Sequence, residues 1–473
     1  MAATRELAGA FALMALSALL AGAACRPDQP VPRETASGAA ARVRSSARIA
    51  FVRDGDLYVP NSTGGADTRV TSDGASTKPR WTSDGQHLFF EKDVGDQRET
   101  WRWQPGAAPE QVHDGVWSPD GQRVAFSEPD SSLDAPSTVF VESSGPRTQV
   151  SPAEPDAAWR PLAWSPDDSH LALSRLHLAP SPVPGSTALY PTDGALWLVE
   201  PSGGQRRQVL LPVEWDSAIH ENGWPDAVRW APSGQTLIVW VGPPNPCASC
   251  RADGTAMMAV RTGDGSPLPL GSSLGPGFLA WLPNNAAVAV EPGGRETYQN
   301  KHLVRLDLAS GRIVKLTQDP RFAEVEPAVS PDGSRIVFAR GRALQQPPVP
   351  LGSPAADATP SPVAGNTPVD LIKSRRLWEM AVDGSQLHQL TDAEDATDDS
   401  PVWTTDGQWI IFVRWRAPSD GQPSAELWAI RPDGSAAQRV ADGLELPHDF
   451  HGGFGYYGVL GWQQQFAVGP PQG

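Results

Sequence analysis

Four short stretches of the chain carry residue types that could do chemistry. Cys247-Ala248-Ser249-Cys250 holds two of the three cysteines at the spacing of a redox pair or half a zinc site. A redox motif of that kind needs a strand–helix–strand setting, and zinc needs further ligands. Asn245-Pro246 before the pair and Asp253-Gly254 after it read as a loop, so in an oxidising compartment a local disulfide between Cys247 and Cys250 is expected. His448 and His451 could ligate a metal together with Asp449, but no third partner is evident and a solvated loop is the plainer expectation. Gly271-Ser272-Ser273-Leu274-Gly275 has the spacing of a nucleophile elbow, yet Pro276-Gly277 forbids the helix that an elbow needs. The acidic run from Asp392 to Asp399 lacks the ligand order of a calcium loop. No catalytic residue is assigned, and no cofactor is implied.

The elements that must position these residues follow from a repeat. Trp117-Ser118-Pro119-Asp120-Gly121 precedes the apolar run Val124-Ala125-Phe126. The same phrase starts at Trp81, Trp164, Trp230 and Trp403, with weaker copies at Trp281 and Val329. The intervals are 36, 47, 66, 51, 48 and 74 residues, each long enough for one four-stranded unit. Pro presets the first central position of a type I turn, Asp tolerates the second, and Gly takes the left-handed position that closes a bulged hairpin. Asp168 and Asn285 replace that Gly with the next-best residues. Unbroken apolar runs after the turn predict strands buried on both faces.

These phrases resemble the TolB-type, WD-like propeller repeat over residues 47–465. The resemblance implies an all-β propeller of four-stranded blades. Seven anchored blades are joined by a mixed one made from both termini, giving eight; seven blades is the alternative if the copy at Trp281 is incomplete. Gly458-Val459-Leu460-Gly461-Trp462 is the strand expected to close the ring, with 466–473 left as a tail. Propellers of this kind also stand before prolyl-oligopeptidase-type hydrolase domains, for which the chain, stopping at Gly473, is expected to have no room. Some propeller lyases of the superfamily bind a metal through histidines, which keeps His448 and His451 as weak candidates.

Residues 1–25 read as a signal peptide: Arg5, an apolar run, small residues, then Cys25. The stretch resembles a bacterial lipoprotein signal, which implies lipidation of Cys25, although Gly22 stands where Leu is usual. Residues 26–46 are polar, with Pro and Ala, and read as a flexible tether. The protein is expected to work outside the cytoplasm, lipid-anchored to a bacterial membrane, or secreted or periplasmic without the lipid. A net charge of -16 excludes broad nucleic-acid binding, and a monomer is expected.

Strand order puts every short Ser-Pro-Asp-Gly turn on one face of the ring. The long segments 174–194, 242–256, 340–375 (with the Pro-rich loop 345–368) and 414–425, and the blade link 210–226, fall on the other. That face is expected to bind, through Trp215, His220, Trp224, Arg414, Trp415 and Arg416, since exposed Trp and Arg are enriched in hot spots. The function expected is a non-catalytic scaffold for a protein or glycan partner at the cell envelope. The alternative is a metal-assisted polysaccharide lyase or related sugar enzyme.

Overall fold

The computed structural model describes residues 43–471 except 45, 63–64, 96, 130–134, 182–184, 211–212, 217–220, 243–253, 292–295, 345–366, 418–420 and 449–457. Within them lie eight antiparallel sheets, seven of four strands and one of five. Numbered along the chain by their second strands, the blades carry Arg48–Arg53, Leu88–Val94, Val124–Glu128, Leu171–Pro180, Thr236–Gly242, Ala286–Glu291, Arg335–Arg342 and Ile410–Arg416. The copy at Trp281 builds a complete blade 6, so the count is eight rather than seven. Among the described residues no helix is long and apolar enough to cross a membrane.

The repeated phrase is a hydrogen-bonded unit. Ser118 Oγ donates to Asp120 Oδ1 at 2.6 Å and accepts from the Arg123 amide at 2.9 Å, while Asp120 also accepts from the Gln122 amide. Thr82 with Asp84, Ser165 with Asp167, Ser330 with Asp332 and Thr404 with Asp406 repeat the hydroxyl–carboxylate bond at 2.6 Å. Gly121 sits at φ 71°, and the stand-ins Asp168 and Asn285 adopt the same left-handed backbone at 58° and 57°.

The unbroken apolar runs have a simple cause. Successive side chains point to opposite faces of a strand, and each blade has a neighbour on both faces. Leu237, Val239 and Val241 of blade 5 pack on Leu196 and Leu198 of blade 4. Ile238 and Trp240, between them in sequence, pack on Ala287 and Ala289 of blade 6. Likewise Ile410 and Phe412 of blade 8 face blade 7, and Ile411 and Val413 face blade 1. The core is therefore a series of wedges between blades. Three inner-strand indoles pin neighbouring blades together: Trp164 Nε1 donates to Val116 O at 2.7 Å, Trp230 to Ala163 O and Trp403 to Ala328 O, both at 3.2 Å.

Chain ends close the ring, though not with the expected strand. Phe466–Gly469 pairs antiparallel with Arg48–Arg53, in register from Arg48↔Gly469 to Phe51↔Phe466. The supposed tail is the innermost strand of blade 1, and Trp81 packs so tightly on Gly469 that an added Cβ would lie 2.6 Å from its ring. Gly458 and Gly461 take positive φ, which breaks the apolar stretch that resembled a strand. Trp462 opens a 3₁₀ turn and is wholly buried between blades 8 and 1. The end of the expected tether 26–46 also belongs to the ring. Val43 is buried in that same core, and Arg44 donates to Val440 O at 2.7 Å.

Removing residues 466–473 should therefore leave the inner edge of Arg48–Arg53 unpaired and lower the melting temperature of the whole ring. A truncated chain that melts like the full one would refute the closure.

Candidate functional site

The shortest repeat interval leaves a gap in the ring. Only 36 residues separate Trp81 from Trp117, and the inner strand of blade 3 is reduced to Val116–Trp117. Its neighbours in blades 2 and 4 run Ser76–Trp81 and Ala157–Trp164. Inner-side pairing of blade 3 stops at Val116↔Ala125, so Phe126, Ser127 and Glu128 extend beyond it. Gly115 turns the incoming chain aside at φ 149°, passing so close to Ala125 O that a Cβ would lie 2.5 Å away. The space left is a cavity of about 620 Å³ lined by blades 3, 4 and 5.

Its floor is apolar, from Val116, Phe126, Leu162 and Val228, and its rim is ionic. Asp114 accepts from Thr100 Oγ1 at 2.7 Å and from the Gly115 amide at 3.0 Å. The His113 ring stacks on Phe126 at 3.8 Å. Arg160 lies 3.9 Å from Asp226, and Glu128 pairs with the exposed Arg147 at 2.6 Å. Such a site can hold a ligand by several charge-assisted hydrogen bonds over an apolar base. Beyond the cavity the strands continue as a wall. Much of segment 174–194 is strand: residues 174–180 and 189–194 extend the hairpin Leu171–Pro180/Leu189–Val199. The link 210–226 supplies a fifth strand, Val213–Asp216, paired with Glu221–Trp230.

The expected binding residues separate into two groups. Trp224 is buried inside that wall against Ala158, Leu176 and Leu178, with Gly194 leaving room for it. Trp415 is fully buried, near Trp462, and donates to Asp399 Oδ2 at 2.9 Å. Arg414 is buried in a bidentate pair with Asp398, at 2.7 and 2.9 Å. The expectation that these three are exposed is corrected. Their alternating apolar and polar surroundings made packing and contact roles look alike in sequence. Arg416 stays half-buried, paired with Asp395 at 3.0 Å and Glu426 at 3.3 Å beside a cavity of about 270 Å³. Trp215 falls in the fifth strand of blade 5. His220, Cys25, Cys247, Cys250 and His451 lie outside the described residues. His448 is exposed at a third cavity of about 570 Å³, with Lys78, Asp93 and Arg98. Among the described residues no three His, Cys, Asp or Glu side chains are grouped to hold a metal.

A buried ionic cluster between blades 7 and 8 escaped the sequence reading. Lys78, Glu326 and Ser400 each precede a Pro at a bulge in an inner strand, with φ 50°, 56° and 51°. Residues other than Gly hold this backbone only where the surroundings impose it. Glu326 accepts from the Ser400 amide at 2.7 Å, tying the two blades together. Asp399 accepts from Arg375 Nη1 at 3.3 Å, and Arg375 also donates to Thr297 Oγ1 and Gly458 O. Burial, reinforced by the Asp399 carboxylate, pushes the Glu326 carboxyl up to about 7 against the pull of Arg375. Burial raises Asp399 too. The signal available in sequence was the Glu-Pro and Ser-Pro pairs at matching repeat positions.

A carboxyl whose pKa is higher in the folded state keeps its proton longer there, so stability falls as pH rises from the ordinary Glu range through about 7. Glu326→Gln should raise the melting temperature at pH 8, with the gain shrinking towards pH 5. A gain of the same size at both pH values would contradict this ionisation.

No protein-family model matches the sequence, and no curated protein matches it. The fold is similar to that of Porphyromonas gingivalis dipeptidyl peptidase 4, at 13% identity over 84% of this chain, with TM-score 0.50. The chain spans 59% of that protein's length. TolB from Acinetobacter baumannii matches at 13% identity over 77% of this chain and 78% of its own, TM-score 0.30. Oligogalacturonate lyase from Vibrio parahaemolyticus matches at 9% identity over 84% of this chain and 85% of its own, TM-score 0.43. Structural neighbours thus include TolB and other β-propeller proteins, and at these identities the likeness shows the fold alone.

Proposed function

We propose that this chain is a non-catalytic binding propeller that works outside the cytoplasm, held at a membrane through a lipid on Cys25. It takes a protein or glycan partner in the cavity between blades 3, 4 and 5. The observation that carries this reading is the gap itself, where three blades surround about 620 Å³ with charges of both signs over an apolar floor. Its charged groups are engaged in holding contacts: Arg160 with Asp226, Glu128 with Arg147, Asp114 with Thr100 and the Gly115 amide. Loops and edges on a rigid scaffold are where binding concentrates. The runner-up, metal-assisted polysaccharide cleavage using His448 and His451, is favoured only by the cavity beside His448. A stoichiometric metal lost on changing either histidine would favour it over the binding reading.

A photo-cross-linking residue at Leu162 should capture a partner in intact cells, and Asp226→Ala should reduce the yield several-fold. The same probe at Gln122, on the Ser-Pro-Asp-Gly face, should stay silent. Equal capture at both positions would defeat the assignment. For the anchor, Cys25→Ala should leave the protein released or unprocessed, and a wild type found only as a soluble, unlipidated species would rule the lipid out.

A further inference from the structure

The cavity between blades 3, 4 and 5 is the place of a missing half-strand, and this decides what shape of ligand suits it. In an antiparallel ladder the N–H and C=O of one residue point to the same side, and successive residues alternate sides. Ser118 N donates to Arg123 O, so Arg123, Ala125 and Ser127 point to the inner side of blade 3. The outer strand agrees. Val139, opposite Ser127, gives its carbonyl to Val150 N and so faces away from it. Arg123 and Ala125 meet the chain at Ser118 and Val116, where the inner pairing ends. The main chain of Ser127, next in line on that edge, faces the cavity. Its hydroxyl is held by Trp159 O at 2.9 Å, which fixes the edge in place.

We propose, resting on the binding reading above, that the occupant is an extended peptide segment carrying a basic side chain, which adds as the missing part of the inner strand of blade 3. The segment pairs antiparallel with Phe126–Glu128, its main chain exchanging hydrogen bonds with Ser127. Strand addition of this kind draws affinity from the main chain and selectivity from pockets for alternate side chains. The selectivity here is electrostatic. Asp114, Glu128 and Asp226 line the cavity against two guanidiniums, Arg160 in the lining and Arg147 paired with Glu128. That leaves one carboxylate in excess, so a cation on the segment is favoured and an anion repelled. Phe126 and Leu162 offer apolar surface to its neighbours. A glycan has no alternating amide row and would not use the Ser127 edge.

The test uses the full chain and blocked octapeptides of alternating Val and Thr, with Lys, Gln or Glu at the fourth position. The Lys peptide should bind at least tenfold tighter than the Glu peptide, and Asp226→Asn or Glu128→Gln should narrow that ratio. Ser127→Pro removes the inner-edge N–H without touching the ladder to the outer strands. It should weaken Lys-peptide binding about tenfold, whereas Ser127→Ala, which keeps the N–H, should bind much more like the wild type. If Ser127→Pro fails to fold, hydrogen exchange at the wild-type Ser127 amide replaces it. Slowing on peptide addition supports the proposal, and no change overturns it. Equal binding of Lys and Glu peptides, or full binding by a folded Ser127→Pro, overturns it as well. A partner captured at Leu162 that proves to be a glycan, or that Ser127→Pro holds undiminished, sinks the strand addition and leaves the binding reading standing. Capture indifferent to Asp226→Ala sinks the binding reading itself.

Discussion

A four-stranded blade has two apolar faces and can bury neither alone. Everything else in this structure depends on that. Because alternate residues of each second strand serve opposite neighbours, Ile238 and Val239 belong to different cores although they are adjacent in sequence. No blade owns its own interior, so stability is shared around the ring. The indole bonds from Trp164, Trp230 and Trp403 to the preceding inner strands add direction to contacts that dispersion alone would leave free to slide.

Function sits where the repeat departs from itself. Blade 3 is the most abbreviated unit and blades 4 and 5 are the most extended, and the cavity lies among them. Shortening an inner strand removes material from the inner wall of the ring without disturbing the wedges between blades. Lengthening the adjacent hairpins then builds a side wall from the same strands. The opposite face, with its Ser–Asp turns made of saturated hydrogen bonds, has little freedom to do either.

Much of the fold was legible because turns are local chemistry. Each Ser-Pro-Asp-Gly phrase specifies its own backbone, and seven copies in order leave few architectures open. Closure by the two termini was legible as a need, but not as a segment. Gly458–Trp462 and Phe466–Gly469 are both short and apolar, and only the positive φ of Gly458 and Gly461 separates them. The binding residues were less legible. Trp224 and Trp415 are core residues of elements that sequence length alone made look like loops. The cavity was present in the sequence as an interval, 36 residues where the others run from 47 to 74, but an interval names no side chains. The cluster of Glu326, Asp399 and Arg375 joins the inner strands of two blades to the residue just before the strand Arg376–Ala381, and such meetings are invisible until the ring is assembled.

The pairing of Arg48–Arg53 with Phe466–Gly469 joins the first and last strands of the described residues. A chain that emerges N-terminus first can pack blades 2 to 8 as they appear, each on its predecessor. Blade 1 cannot be finished until Gly469 is delivered. Until then its first-made strand stands with an open edge, and the core between blades 8 and 1 lacks Trp462 and Phe466. A product that ends before Phe466 therefore displays unpaired strand and bare apolar surface, which proteases and chaperones recognise. Ring closure thus acts as a proofreading step for synthesis: only a chain made as far as Gly469 can hide the edge of Arg48–Arg53.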